Sequence, residues 1–85
     1  MSRLFGIKYS YEDYNENMVI ISQRIKELRR ENKISQAELA EKCLVKQSCV
    51  SKWERAETLP DIEIIVKLTQ IFNVSADYLL GIKDY

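Results

Sequence analysis

The 85-residue chain has no histidine, only two glycines, one proline and two cysteines. Each scarcity removes a class of chemistry. Without histidine the commonest general acid–base side chain is missing, and two cysteines have no histidine to complete a metal site. The chain has no glycine-rich phosphate loop, no nucleophile with a base at motif spacing and no acidic cluster with metal-ligand spacing. Its carboxylates are scattered over solvated helix faces. An enzyme, a cofactor and a metal are therefore not expected. No apolar run approaches the roughly 20 residues that span a bilayer, and no secretory signal pattern opens the chain. Cys43 and Cys49 are read as reduced packing residues of a cytoplasmic protein, with a redox-sensing pair as the alternative.

What is present points to one compact, mostly helical domain. Apolar residues make up 46% of the chain, a content that with so little glycine and proline suits packed helices around a modest core. The formal net charge is zero, with 13 basic and 13 acidic side chains, but the charges are not evenly spread. Residues 22–55 hold nine basic and five acidic side chains, a net of +4, and the rest of the chain holds four and eight, a net of −4. The chain is a dipole with its positive end in its middle third.

That third contains the most informative stretch, residues 35–55. Ser35 with Glu38 has capping-box spacing, and a helix is expected over about 36–43 with Leu39, Ala40 and Cys43 on one face. After Leu44-Val45-Lys46 a second helix is expected over about 47–55, with Val50 and Trp53 facing inward. Ala40 supplies the small residue that two steeply crossing helices need at their contact. On the opposite face of the second helix, Gln47, Ser48, Ser51, Lys52 and Arg55 form one stripe of hydrogen-bond donors with no acidic member. Amide and hydroxyl groups read base edges, and Lys and Arg bind guanine edges or phosphates. The alternative is an ordinary solvated helix face. Placed after a capped helix and a tight turn, the stripe favours a DNA-reading helix-turn-helix.

From Ile21 to Gly81 the chain resembles the Cro/CI-type (XRE) helix-turn-helix family. The matching strings are Arg-Ile-Lys-Glu-Leu-Arg (24–29), Ser-Gln-Ala-Glu-Leu-Ala (35–40), Val-Ser-Lys-Trp-Glu (50–54), Leu-Pro-Asp (59–61) and Phe-Asn-Val-Ser-Ala-Asp-Tyr-Leu-Leu-Gly (72–81). The resemblance implies an all-α, compact five-helix lambda-repressor-like DNA-binding domain, with base contacts from Gln47, Ser48, Ser51 and Lys52. It implies phosphate contacts from Gln36, Lys46, Arg55 and Arg29, and an ion pair between Arg29 and Glu54. It also implies a homodimer, with Tyr78, Leu80 and Ile82 as interface candidates; the other reading of these three is simple core. Two departures fall in the turn. Leu44 stands where the family usually has glycine, so it either takes a costly positive φ or the turn changes shape. Lys46 replaces the usual capping Ser or Thr, so the recognition helix lacks its side-chain cap or starts later. Glu57, in a loop expected near phosphate, is expected to weaken that loop's contribution.

In chain order, a first helix is expected over about 19–32 with Ile21, Ile25 and Leu28 as its apolar stripe. Asp61 caps a helix over about 62–72 whose Ile62, Ile65, Leu68, Thr69 and Phe72 are expected to face inward. Ser75 caps a last turn over 76–80, ended by Gly81. The organisation expected is an extension or arm at 1–19, the helix-turn-helix domain at 20–82 and a tail at 83–85. Residues 1–19 support three readings: an arm on the domain, a dimerisation element or a loose leader. Their local form is either a short strand through Leu4, Ile7, Tyr9 and Tyr11 or a helical turn capped by Ser10.

The function expected is a sequence-specific DNA-binding transcriptional regulator, a repressor, without a separate ligand-sensing domain. Two alternatives stand beside it: an antitoxin-like or anti-repressor module binding a protein partner through residues 1–19, and a scaffold that keeps the fold but has lost DNA binding. Lys46 and Arg55 argue against the last.

Overall fold

The computed structural model describes the backbone of residues 11–85 and the side chains of residue 16 and of residue 18 onward. Five helices follow one another: α1 (Tyr11–Glu31), α2 (Gln36–Cys43), α3 (Gln47–Glu54), α4 (Ile62–Phe72) and α5 (Ala76–Leu79). The all-α, five-helix expectation holds for the described residues. α1 begins eight residues earlier than its apolar stripe indicated, and the expected boundary between residues 19 and 20 falls inside it. The strand reading of residues 4–11 is corrected at Tyr11, which opens α1; its other residues and the cap by Ser10 lie outside those described.

The core forms where the helical periodicities converge. Ile21, Ile25 and Leu28 of α1 meet Leu39, Ala40 and Cys43 of α2, Val50 and Trp53 of α3, Leu68 and Phe72 of α4 and Leu79 of α5. The bond from Lys67 Nζ to the Cys43 carbonyl (3.3 Å) ties α4 to the end of α2. Cys43 and Cys49 are both free thiols, and burial raises the Cys43 thiol above its ordinary range.

The expected inward face of α4 needs correction at Ile62, which is 82% exposed. Asp61 caps the helix through Ile64 N–H (2.9 Å), and that start sets the phase: Ile64, Ile65, Leu68 and Phe72 turn inward, whereas Ile62 and Val66, four residues apart, share the outer side. Thr69 is half-buried and donates its hydroxyl to the Val66 carbonyl (2.6 Å).

Four helix ends share one device. Lys33, Leu44, Ala56 and Asn73 have φ of 58°, 60°, 58° and 54°. After each, the chain turns back onto its helix: Ile34 N–H donates to Arg29 O, Val45 to Ala40 O, Glu57 to Lys52 O and Val74 to Thr69 O. This is the left-handed terminator that glycine usually fills, built here from four side-chain-bearing residues. Gly81 also has a positive φ, 81°, and a Cβ there would lie 2.7 Å from Ile20 Cγ2. Residues 83–85 are anchored to the body. Arg24 donates from Nη1 to the carbonyls of Tyr78 and Lys83 (2.8 Å to the latter), and Ser75 Oγ donates to the Tyr85 carbonyl (3.0 Å).

Candidate nucleic-acid interface

The site is set by how α2 and α3 are started, turned and held. Ser35 Oγ accepts from Glu38 N–H (3.0 Å) and Glu38 Oε1 accepts from Ser35 N–H (3.1 Å), so α2 opens with a complete capping box. α2 ends on Leu44 in the left-handed conformation, with its side chain 81% exposed. Of the two outcomes considered for this turn, it takes the strained one. A Leu there costs roughly 1–2 kcal/mol relative to an unstrained position. Lys46 then occupies the N-cap of α3 in extended conformation with no side-chain bond. The first turn is closed by the backbone alone, Cys49 N–H to Lys46 O at 2.9 Å.

The other end of α3 is held from three directions. Glu54 Oε2 accepts from Arg29 Nε (2.6 Å), and its Oε1 accepts from Arg29 Nη2 (3.0 Å) and Gln36 Nε2 (3.0 Å). Arg29 Nη1 donates to Ile34 O (3.0 Å), so all three guanidinium nitrogens are engaged. The Glu54 side chain is 2% exposed and that of Arg29 13%. Burial pushes the Glu54 carboxyl up. The hydrogen bonds from Arg29 and Gln36, with the charges of Arg29 and Lys26, outweigh it and hold the group below its ordinary value. The same hydrogen bond raises Arg29. One carboxylate thus joins α1, the start of α2 and the end of α3.

The expected contact residues divide into two groups. Lys46, Gln47, Ser48 and Lys52 are exposed and form no side-chain hydrogen bond or ion pair among the described residues. Arg29, Gln36, Ser51 and Arg55 are engaged within the fold. Arg55 pairs with Glu57 (2.7 Å) and donates to Ser51 Oγ. That pairing raises Arg55 and lowers Glu57, and it balances the acidic charge at the loop with a basic one beside it. Gln36 gives one amide proton to Glu54 and keeps a second. Of the interface candidates at the other end of the domain, Tyr78 and Leu80 are half-buried, whereas Ile82 is exposed. Tyr78 lies under the Arg24 guanidinium, 4.3 Å from ring centre to Cζ.

One residue at this site was absent from the sequence reading. Ser22 is buried in α1 and donates its hydroxyl to the Glu54 carbonyl at 2.6 Å. Its signal was a small hydroxyl residue beside Ile21 and one turn before Ile25, within an otherwise apolar stripe.

A capped helix, a three-residue turn and a second helix with an exposed donor face define a helix-turn-helix. A family model described as helix-turn-helix matches residues 25–79, and the chain belongs to the Cro/CI-type (XRE) helix-turn-helix family. It is 39% identical over 61 residues to the HTH-type transcriptional regulator ImmR of Bacillus subtilis, covering 72% of this chain and 48% of ImmR. It is 42% identical over 66 residues to the regulator SinR of Bacillus licheniformis, covering 76% of this chain and 60% of SinR. The chain thus spans about half the length of ImmR. Among solved structures it is similar to the P22 c2 repressor in complex with a synthetic operator, with a TM-score of 0.68 and 38% identity over 71% of this chain and 91% of that one. These relatives are transcriptional regulators and a repressor. Among the described residues, no helix is long and apolar enough to cross a membrane.

Proposed function

We propose that this protein is a sequence-specific DNA-binding transcriptional regulator, a repressor, that reads the major groove with α3. The observation that carries the reading is the exposed face of Lys46, Gln47, Ser48 and Lys52, without side-chain partners among the described residues, on a helix whose far end is locked to the core. The operator complex of the similar P22 c2 repressor supports it. In this reading Gln47, Ser48, Ser51 and Lys52 contact bases, Ser51 after its hydroxyl is released by Arg55. Lys46, Arg55 and the second amide proton of Gln36 meet phosphates. Arg29, engaged on all its nitrogens, stands at the edge of that set and acts chiefly by holding Glu54. The regulator works in the cytoplasm as a homodimer on a two-fold related operator, its two α3 helices in successive major grooves about 34 Å apart.

Residues 20–82 are the DNA-binding unit, with residues 1–19 as an extension and 83–85 as a tail. One observation favours a second reading, a partner-binding module of antitoxin or anti-repressor type. α1 starts at Tyr11, 14 residues ahead of the family match at residue 25, and so adds helical surface beyond the shared domain.

The deciding experiment titrates the protein with duplex from the region upstream of its own coding sequence and with a shuffled duplex, at several salt concentrations. A preference of about 10³-fold or more for the natural duplex is expected, and the salt slope counts phosphate contacts. Equal, weak binding to both overturns the reading for that promoter. A pull-down with residues 1–19 present or deleted then tests the partner-binding alternative.

A further inference from the structure

We infer that Ser22 is a positioning residue for DNA reading: its hydroxyl fixes the carboxyl end of α3 and thereby the angle at which the exposed face of α3 is presented. The inference rests on the DNA-reading role of α3 proposed above. Three of the last four carbonyls of α3 are satisfied within the segment, Ser51 O by Arg55 N–H, Trp53 O by Ala56 N–H and Lys52 O by Glu57 N–H. The fourth, Glu54 O, accepts from Ser22 Oγ at 2.6 Å, 32 residues away in sequence. A carbonyl at a buried helix end needs such a partner.

Ser22 is a poor choice on every other ground. Serine is less favourable than alanine inside a helix, and a buried hydroxyl is costly unless bonded. Alanine would pack beside Ile21 and Ile25 with neither penalty. What serine adds is one directed bond, and it goes to the peptide joining Glu54 to Arg55. That peptide decides where Arg55 leaves the helix and where Ala56 enters its left-handed turn. Arg29 holds the Glu54 carboxylate from the same face of α1, two turns further on. Two points on one rigid helix therefore grip the backbone and the side chain of a single α3 residue. Two points fix an orientation; one fixes only a position. The amino end of α3 has no side-chain cap and is held by the packing of Val45, Cys49 and Val50, which is not directional, so its angle depends on this grip.

The test uses the duplex that the full wild-type chain enriches from a random-sequence library, with the unselected library as the non-specific probe. Ser22→Ala is expected to lower the preference for the enriched duplex about tenfold while leaving affinity for the library unchanged, and Ser22→Thr, which keeps the hydroxyl, is expected to restore it. Amide exchange supplies a readout without DNA. Exchange at Ala56 and Glu57 should quicken about tenfold in Ser22→Ala, and that at Leu44 and Val45 should not. A folded Ser22→Ala variant that keeps wild-type preference overturns the inference, as does equal loss on both probes or failure of Ser22→Thr to rescue. Should Ser22→Ala fail to fold, Ser22→Cys, with a similar volume and a weaker donor, carries the same expectations. If the wild type enriches no duplex, the DNA-reading role itself fails, and the exchange pattern still decides whether Ser22 grips the helix end.

Discussion

The two ends of α3 are built on opposite plans. At its amino end Lys46 offers no cap, Leu44 holds a strained turn, and Gln47 and Ser48 project into solvent. At its carboxyl end Trp53 is buried, Glu54 is gripped by α1 and α2, and Ala56 turns the chain back through bonds to Trp53 O and Lys52 O. Free polar side chains and core anchoring are thus concentrated at opposite ends of eight residues. The amino end leaves the side chains of Lys46, Gln47 and Ser48 free among the described residues, and at the carboxyl end only that of Lys52 stays so. A helix anchored at one end can present the other without help from its own cap.

The contrast can be broken most severely at the buried end. Trp53→Ala should cost about 3–5 kcal/mol, as expected for a large core residue, and unfold much of the domain; chemical denaturation followed by circular dichroism measures it. A stable variant would mean that the anchor lies elsewhere. Arg29→Met should cost about 3 kcal/mol at neutral pH, because it strands a buried carboxylate. That cost should depend on acidity. The folded Glu54 carboxyl lies below its ordinary value, so its contribution is present above the ordinary carboxylate range and is lost as pH falls through the folded value. The gap in melting temperature between wild type and Arg29→Met should therefore narrow as pH falls; a constant gap would remove Glu54 from the account.

At the exposed end the effects should be smaller and of another kind. Gln47→Ala should relax discrimination at one base position by about 1–3 kcal/mol and leave thermal stability unchanged. Equal loss on all sequences would assign Gln47 to the DNA backbone. Lys46→Ser should raise stability by about 1 kcal/mol by supplying the missing cap, while weakening all duplexes alike through one lost charge. A variant with both stability and affinity unchanged would show that the amino end needs neither cap nor charge.

Much of this was legible in the sequence, for reasons that differ by residue. The bounds of α2 and the caps at Ser35, Asp61 and Ser75 follow from local hydrogen-bond chemistry, which spacing alone encodes. The apolar stripe of Ile21, Ile25 and Leu28 follows from helical period. Ile62 was misplaced because an isoleucine at the first position of a helix matches an apolar count, whereas its direction depends on where the cap sets the phase. Ser22 and the inward turn of the Gln36 amide were invisible for another reason. Both depend on Glu54, 32 and 18 residues away, and such a bond leaves no periodic trace. The early start of α1 was hidden because Tyr11 to Met18 carries several polar side chains and no strong stripe. A helical turn was nonetheless one of the two local forms open to residues 1–19.

The four left-handed terminators reach beyond the turns they make. Lys33, Leu44, Ala56 and Asn73 each carry a Cβ where glycine would relax the backbone. The same Cβ also narrows the conformations open to the chain before it folds, by an amount that a comparison of glycine with alanine puts at about 0.4–1 kcal/mol per site. Strain in the native turns is thus partly offset by a stiffer denatured ensemble with less freedom to lose. A chain with only two glycines trades comfort at its corners for a smaller entropic distance between the unfolded coil and the fold.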